Sequence, residues 1–313
     1  MSSSSRTLTG LGMATALLLA ASFLPQADAA EEYYKSYTVG AHPRVRVQSD
    51  DASVRVLTTD SNQVEFHVRS EHATWGLGLK FGARPHVDSR QAGDLVELTA
   101  HLGWSVVIGV ADGTRARIEV SMPRNADLEL ETDDGSVEVA SVNGNVTVRT
   151  SDGSIKAAQL TGKIDLHAND GSITADDLQG DLKLHTGDGH IRAANLKGRC
   201  EAASSDGSIQ VAGRFEFLDL RSDDGSIVAR VEPGSQLSST WSLHSRDGSV
   251  RLALPRDLKA SLDASSEDGH ISYELPVKVE GEASRRHLYG TLNGGGPAVL
   301  IHTDDGSIVL AAI

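Results

Sequence analysis

The chain has 313 residues and a single cysteine. That excludes a disulfide-stapled scaffold and any zinc or iron–sulfur centre built from several thiolates. Aromatic residues are only 4% of the sequence, 3 Trp, 5 Tyr and 5 Phe, which leaves little material for the exposed rings that sugar binding recruits. Positive charge is also short: 29 Lys+Arg stand against 43 Asp+Glu, a net charge of −14. Nucleic acid and anionic bilayers both demand basic patches, so neither is expected as the main partner. No apolar run beyond residue 30 approaches the roughly 20 residues that a membrane-spanning helix needs, so no membrane span is expected in the mature chain.

Glycine, by contrast, is plentiful, at 31 residues. Asp-Gly pairs place their glycines at 135, 153, 171, 189, 207 and 225, five consecutive intervals of 18 residues. A second set, Gly144, Gly162, Gly180 and Gly198, falls nine residues after the first four. Self-similarity at a fixed short period is the signature of a solenoid. The second residue after each Asp-Gly glycine is Val137, Ile155, Ile173, Ile191, Ile209 or Ile227, and the fourth is Val139, Ala157, Ala175, Ala193, Val211 or Ala229. After the half-repeat glycine come Val146, Ile164, Leu182, Cys200 and Leu218, then Val148, Leu166, Leu184, Ala202 and Leu220. Apolar and polar residues alternate within each half, as in a strand with one buried face.

Each coil is therefore expected to hold two short strands, with Asp-Gly and the half-repeat glycine as turns. Glycine accepts positive φ, and Asp is expected to bond back to turn amides. A hexapeptide helix would put an apolar residue every sixth position, and a calcium-binding β-roll would repeat its Gly-Asp motif in both halves of the coil. Neither matches these columns. The fold class expected is all-β, a right-handed parallel β-solenoid with about 18 residues per coil and an irregular N-terminal capping region.

The N-terminus reads as an export signal. Arg6 precedes an apolar stretch over 11–24, and Ala27 and Ala29 frame a small-x-small cleavage site. The domain division expected is a signal peptide over 1–29, N-terminal degenerate coils and cap over 30–117, and the repeat domain over 118–313. The mature chain is expected in the periplasm or outside the cell. The stretch 50–56 echoes 133–139, so degenerate coils are expected to begin near residue 45. Between them, about 72–117, lies an irregular segment with Trp75 and Trp104. Later Asp-Gly glycines, at 248, 269 and 306, follow at intervals of 23, 21 and 37, which implies looped-out insertions between successive coils.

The run from Ile118 through Pro123 to Asp134, Gly135 and Val139 is a Pro-terminated strand leading into serial Asp-Gly-Ser-Ile coils. It resembles the start of the repeats in the bacterial "putative adhesin" family, exported domains of unknown function. The resemblance covers about 118–310 and, more loosely, 40–117. It implies a secreted or envelope-associated β-solenoid, and it brings no catalytic residues to transfer.

Several residues invite chemistry. The column Asp134, Asp152, Asp170, Asp188, Asp206 and Asp224 could form a cation ladder. The preceding residues are mixed (Asp133, Ser151, Asn169, Gly187, Ser205, Asp223), so most turns offer one carboxylate where Ca²⁺ wants six to eight oxygens. These aspartates and their partners Gly135, Gly153, Gly171, Gly189, Gly207 and Gly225 are read as structural turn residues. His167 and His185 occupy equivalent outward positions in consecutive coils, yet without a cysteine or carboxylate in their column they are read as solvated sheet residues. His190 and His270 replace the serine that usually follows Asp-Gly, and Cys200 is read as a buried small hydrophobe. Gly294, Gly295, Gly296 and Pro297 form a loop with no helix behind it to make a phosphate cradle. No catalytic residue, metal or cofactor is assigned. The expected function is a non-enzymatic, adhesin-like interaction surface whose partner is an unknown envelope protein or glycan. The alternatives are a carbohydrate-binding or polysaccharide-active β-helix, for which only the insertions near 231–241 and 276–297 offer room, and a regulatory scaffold for another protein.

Overall fold

The computed structural model describes residues 31–75, 79–82, 86–101, 105–108, 111–280 and 284–313. The signal peptide expected over 1–29, Trp104 and part of the 75–82 stretch lie outside them. The described residues form an all-β solenoid whose coils pair through parallel ladders in 18-residue register, Ile155 opposite Ile173, Ile173 opposite Ile191 and Ile191 opposite Ile209. Alternate residues of every coil point inward, and Ile155, Ile173, Ile191, Ile209 and Ile227 are fully buried, as are Ile164, Cys200 and Leu218.

The half-repeat glycine bends the strand without ending it. In the central coils one strand runs through both faces, Ile155–Ala168, Ile173–Thr186, Ile191–Ser204 and Ile209–Ser222. Two short strands per coil were expected. The ladder stays intact around the corner, with Thr161 opposite Gln179 and Gly162 opposite Gly180. The bend combines Gly162, Gly180 and Gly198, at φ of 134°, 125° and 112°, with left-handed residues three positions earlier, Gln159, Asp177 and Asn195, at φ of 55°, 54° and 56°.

The Asp-Gly corner is tighter. A Cβ on Gly153 would lie 2.1 Å from the carbonyl oxygen of Gly135, one on Gly171 1.9 Å from that of Gly153, and one on Gly207 1.7 Å from that of Gly189. No side chain fits under that oxygen at the spacing of neighbouring strands. The expectation is that Asp carboxylates bond the turn amides; the glycine amide has another partner. It is held by a buried hydroxyl three residues back: Thr150 Oγ1 accepts from Gly153 N–H at 3.1 Å, and Ser204 and Ser222 Oγ accept from Gly207 and Gly225 at 3.0 Å each. The same hydroxyls donate to glycine carbonyls of the preceding coil, Ser222 to Gly207 at 3.1 Å and Ser204 to Gly189 at 3.2 Å. One short side chain thus satisfies two buried main-chain groups across two coils.

Chain order and stacking order part company at both ends. The 23-residue interval is a looped-out insertion as expected, residues 232–240 leaving the stack while Gly248 sits directly against Gly225, but the intervals of 21 and 37 are not. Trp241–Ser245 pairs with Ala298–Thr303, which in turn pairs with Ala260–Ser266. Gly306 sits against Gly248, and Gly269 against Gly306. The last coil of the chain is therefore inserted inside the stack, beneath one that precedes it in sequence. The N-terminal end mirrors this arrangement. Arg44–Ser49 and Ser53–Thr59 form a coil that pairs with Asp127–Thr132 and Val137–Ala140 on one side and with Leu95–His101 and Ala111–Pro123 on the other. Arg46 on the inserted strand bridges both neighbours, reaching Glu97 and Glu129 at 2.9 Å each.

Antiparallel strands then cover both ends. His86–Ala92 pairs with Leu95–His101, Gln63–Trp75 with Ala111–Pro123, and Glu31–Thr38 with Gln63–Trp75. At the other end His287–Leu292 pairs with Ala260–Ser266 and Lys278–Val279 with His287–Leu292. Such hairpins occupy edges that would otherwise recruit further strands. Where the register shifts between the last long coil and its predecessor, large aromatics fill the space: buried Phe215 meets buried Trp241 edge-on, ring centroids 6.5 Å apart.

Three outcomes test this arrangement. The coil at 168 carries Ala in the hydroxyl column; Ala168→Ser supplies the missing donor to the Gly153 carbonyl and acceptor for Gly171 N–H, and raises stability by about 1 kcal/mol in denaturant unfolding. Gly171→Ala forces a methyl onto the Gly153 carbonyl and costs about 3 kcal/mol or more by the same measurement. Deleting 298–313 removes an internal layer, so hydrogen-exchange protection is lost in both 241–254 and 260–273; a solenoid stacked in chain order would lose it at one neighbour only.

Candidate interaction face

The six turn aspartates, Asp134, Asp152, Asp170, Asp188, Asp206 and Asp224, are all exposed, and Gly135, Gly153, Gly171, Gly189, Gly207 and Gly225 beside them are all buried. Stacked carboxylates about 4.8 Å apart repel by about 0.9 kcal/mol in water but by about 3.5 at an effective dielectric of 20. Exposure keeps the column near the lower figure. At its end Arg246 reaches Asp224 at 2.8 Å, and this bond together with the charge of Asp223 raises the pKa of the guanidinium.

His190 and His270 stand in the column of serines that follow the turn glycines, and His190 takes over the serine's bond to the amide of the next coil. His190 Nδ1 accepts from the Ser208 amide at 3.1 Å, and His270 Nδ1 meets Ser307 Oγ at 2.9 Å. Cys200 is fully buried beneath Leu182 and Leu218, and burial pushes its thiol up to about 12, so no reactive thiolate forms there. Gly294 and Gly295 turn at φ of 88° and 84° in the connection from His287–Leu292 to the inserted strand Ala298–Thr303.

The outward column that holds His167 and His185 is longer than the repeat spacing suggests. In stacking order it runs Glu131, Arg149, His167, His185, Ala203, Arg221, His244, His302 and Ser265. His167 and His185 stack face to face, 4.7 Å between centroids and 10° from parallel. His244 and His302 do the same at 5.2 Å and 3°. The second pair escaped the sequence reading because 58 residues separate its members and only the inserted last coil makes them neighbours. Ala203 interrupts the column and leaves a shallow open groove lined by Lys183, His185, Glu201, Asp219 and Arg221. Ion pairs run beside it, Lys183 to Glu201 at 3.3 Å and Arg221 to Asp219 at 2.8 Å.

Partial burial, followed by the neighbouring His167, lowers the pKa of His185 below its ordinary 6.5, while Asp165 acts the other way. A histidine whose folded value is depressed stays neutral in the native state while the unfolded chain takes up its proton. Its contribution is complete above the unfolded value and is lost as pH falls through it. The expected outcome is a lower melting temperature at about pH 5.5 than at about pH 7.5, with a smaller drop in His185→Gln.

The Toastrack DUF4097 family matches residues 43–311. No curated protein matches the chain. Among solved structures, the chain is similar to a "putative cell adhesion protein" from Clostridium sporogenes ATCC 15579 at 10% identity and a TM-score of 0.24, over 91% of this chain and 100% of that one. It is also similar to a "putative adhesin" from Bacteroides fragilis NCTC 9343 at 11% identity and a TM-score of 0.32, over 90% of this chain and 97% of the other. The family match spans nearly all of the described solenoid, from the first inserted coil to the last, and the chain belongs to the Toastrack DUF4097 family.

Proposed function

We propose that the protein is an exported, non-enzymatic β-solenoid whose outward columns serve as an adhesin-like interaction surface in the bacterial envelope. The observation that carries this reading is the registered outward face: Arg149, His167, His185 and Arg221 line up on successive coils beside a shallow open groove. A rigid sheet of this kind offers a ligand many equivalent contacts along its length, as solenoids generally do. Acid–base catalysis needs carboxylates held in distinct environments, whereas the six turn aspartates occupy equivalent exposed positions. In this reading the Asp-Gly residues are structural, residues 1–29 direct export, and 30–117 complete and cap the N-terminal end. The partner is an envelope protein or a glycan.

The test compares the mature chain with a variant carrying serine at 149, 167, 185 and 221, on a glycan array and in pull-downs from envelope extracts. Binding that weakens by about tenfold or more in the variant, with thermal stability retained, supports the face. Glycan capture alone selects a carbohydrate-binding protein, and capture of one envelope protein alone selects the scaffold. Release of reducing ends from a polysaccharide, or binding unchanged in the variant, overturns the proposal. Amino-terminal sequencing of the exported protein is expected to begin at Ala30.

A further inference from the structure

The four histidines of the outward column stand at equivalent positions, so the repeat supplies its own comparison. What differs is the residue two places on, which lies beside the ring at the mouth of the turn. It is Asn169 after His167, Gly187 after His185, Arg246 after His244 and Asp304 after His302. His167 Nε2 meets the side-chain oxygen Oδ1 of Asn169 at 3.0 Å, a neutral contact. His302 Nε2 meets Asp304 Oδ1 at 2.9 Å, and its other nitrogen, Nδ1, lies 2.9 Å from Ser265 Oγ.

The neighbouring coil adds a third group. Glu267 N–H bonds the Thr303 carbonyl at 3.2 Å and Asp268 N–H the Asp304 carbonyl at 2.8 Å, locking the two turns side by side. Glu267, His302 and Asp304 then offer one imidazole nitrogen and two carboxylate oxygens within 4.8 Å of one another. His302 and Asp304 are half-buried and Glu267 is exposed, so the cluster is supported from below and open to solvent above. Arg246, the nearest cation on the coil beneath, is engaged with Asp224 and Asp247. Among the described residues Asp304 has only the imidazole of His302 as ion-pair partner.

We propose that Glu267, His302 and Asp304 form a binding site for a borderline divalent transition metal of the Zn²⁺ class. One nitrogen and two carboxylate oxygens suit Zn²⁺ with water completing the shell, and the imidazole sets the site apart from oxygen-only Ca²⁺ or Mg²⁺ sites. In the metal-bound form the ring carries its proton on Nδ1, donated to Ser265 Oγ, and presents the Nε2 lone pair to the ion. A hydroxyl behind a metal-bound histidine fixes the tautomer and ring orientation, which makes Ser265 a positioning residue. The site exists only because the last coil is inserted between 241–254 and 260–273, which brings residues 267 and 302 onto adjacent turns.

The experiment titrates the full purified chain with Zn²⁺ alone by calorimetry and with Co²⁺ by visible absorption, Ca²⁺ serving as comparison. The expected result is one equivalent of Zn²⁺, a Co²⁺ d–d band that Zn²⁺ displaces, and no competition from Ca²⁺ at equal concentration. His302→Ala abolishes saturable binding, and the exposed change Glu267→Gln, which leaves the fold intact, weakens it strongly. Ser265→Ala weakens it by about tenfold. The double variant of His167 and His185 to alanine binds as the parent does. The proposal is overturned by absence of saturable binding, by binding that survives His302→Ala, by loss in the His167/His185 variant, or by Ca²⁺ binding as tightly as Zn²⁺.

Discussion

A carbonyl oxygen under each Asp-Gly glycine is the contact on which this molecule depends. Along the stack from Gly135 to Gly225 that oxygen lies about where a Cβ would be, so the coils can approach to strand spacing at this corner only if the side chain is absent. The closeness creates a second demand, because the buried amide and carbonyl of the turn need partners that water cannot supply. A single hydroxyl supplies both at Thr150, Ser204 and Ser222, whereas the coil at Ala168 goes without one. Once corner and hydroxyl are set, the register on both faces follows: apolar residues fall inside, and each outward position forms a column running the length of the stack.

Solenoids have ends, and an open end exposes both strand edges and core. Here the first and last coils in sequence are inserted within the stack. The coils at 44–59 and 298–312 lie beneath outer coils built from Leu95–His101 with Ala111–Pro123 and from 260–273, and antiparallel strands close over those. An outer coil held at both of its own chain ends cannot fray residue by residue from a free terminus, which is where unfolding of a stacked array ordinarily starts. The same threading brings His244 to His302 and Glu267 to Asp304, so the chemistry of the C-terminal end arises from the device that closes it.

The repeat was legible because 18-residue spacing and period-2 alternation report local geometry that every coil shares. The core columns, from Ile155 to Ile227 and from Val146 to Leu218, could be named from spacing alone. The hydroxyl column was equally available, since Thr132, Thr150, Thr186, Ser204 and Ser222 all fall three residues before a turn glycine. Aspartate, the usual turn residue, drew the reading away from them, although a buried polar side chain at a fixed offset was the more informative signal. The bend at Gln159, Asp177 and Asn195 left no trace, because non-glycine residues in the left-handed region carry no common signature beyond a mild preference for Asn and Asp.

By itself the sequence determined the coil: its length, its inward and outward residues, its glycine corners and the acidic surplus their aspartates contribute. A coil is a local object, and its pattern is written in residues a few positions apart. Stacking order at the ends was decided only by the tertiary structure. Intervals of 23, 21 and 37 residues are compatible with coils laid down in turn or with one inserted beneath another. The choice between them rests on which strand edge Ala298–Thr303 meets, and that edge is shared by segments more than thirty residues away on either side of the ladder.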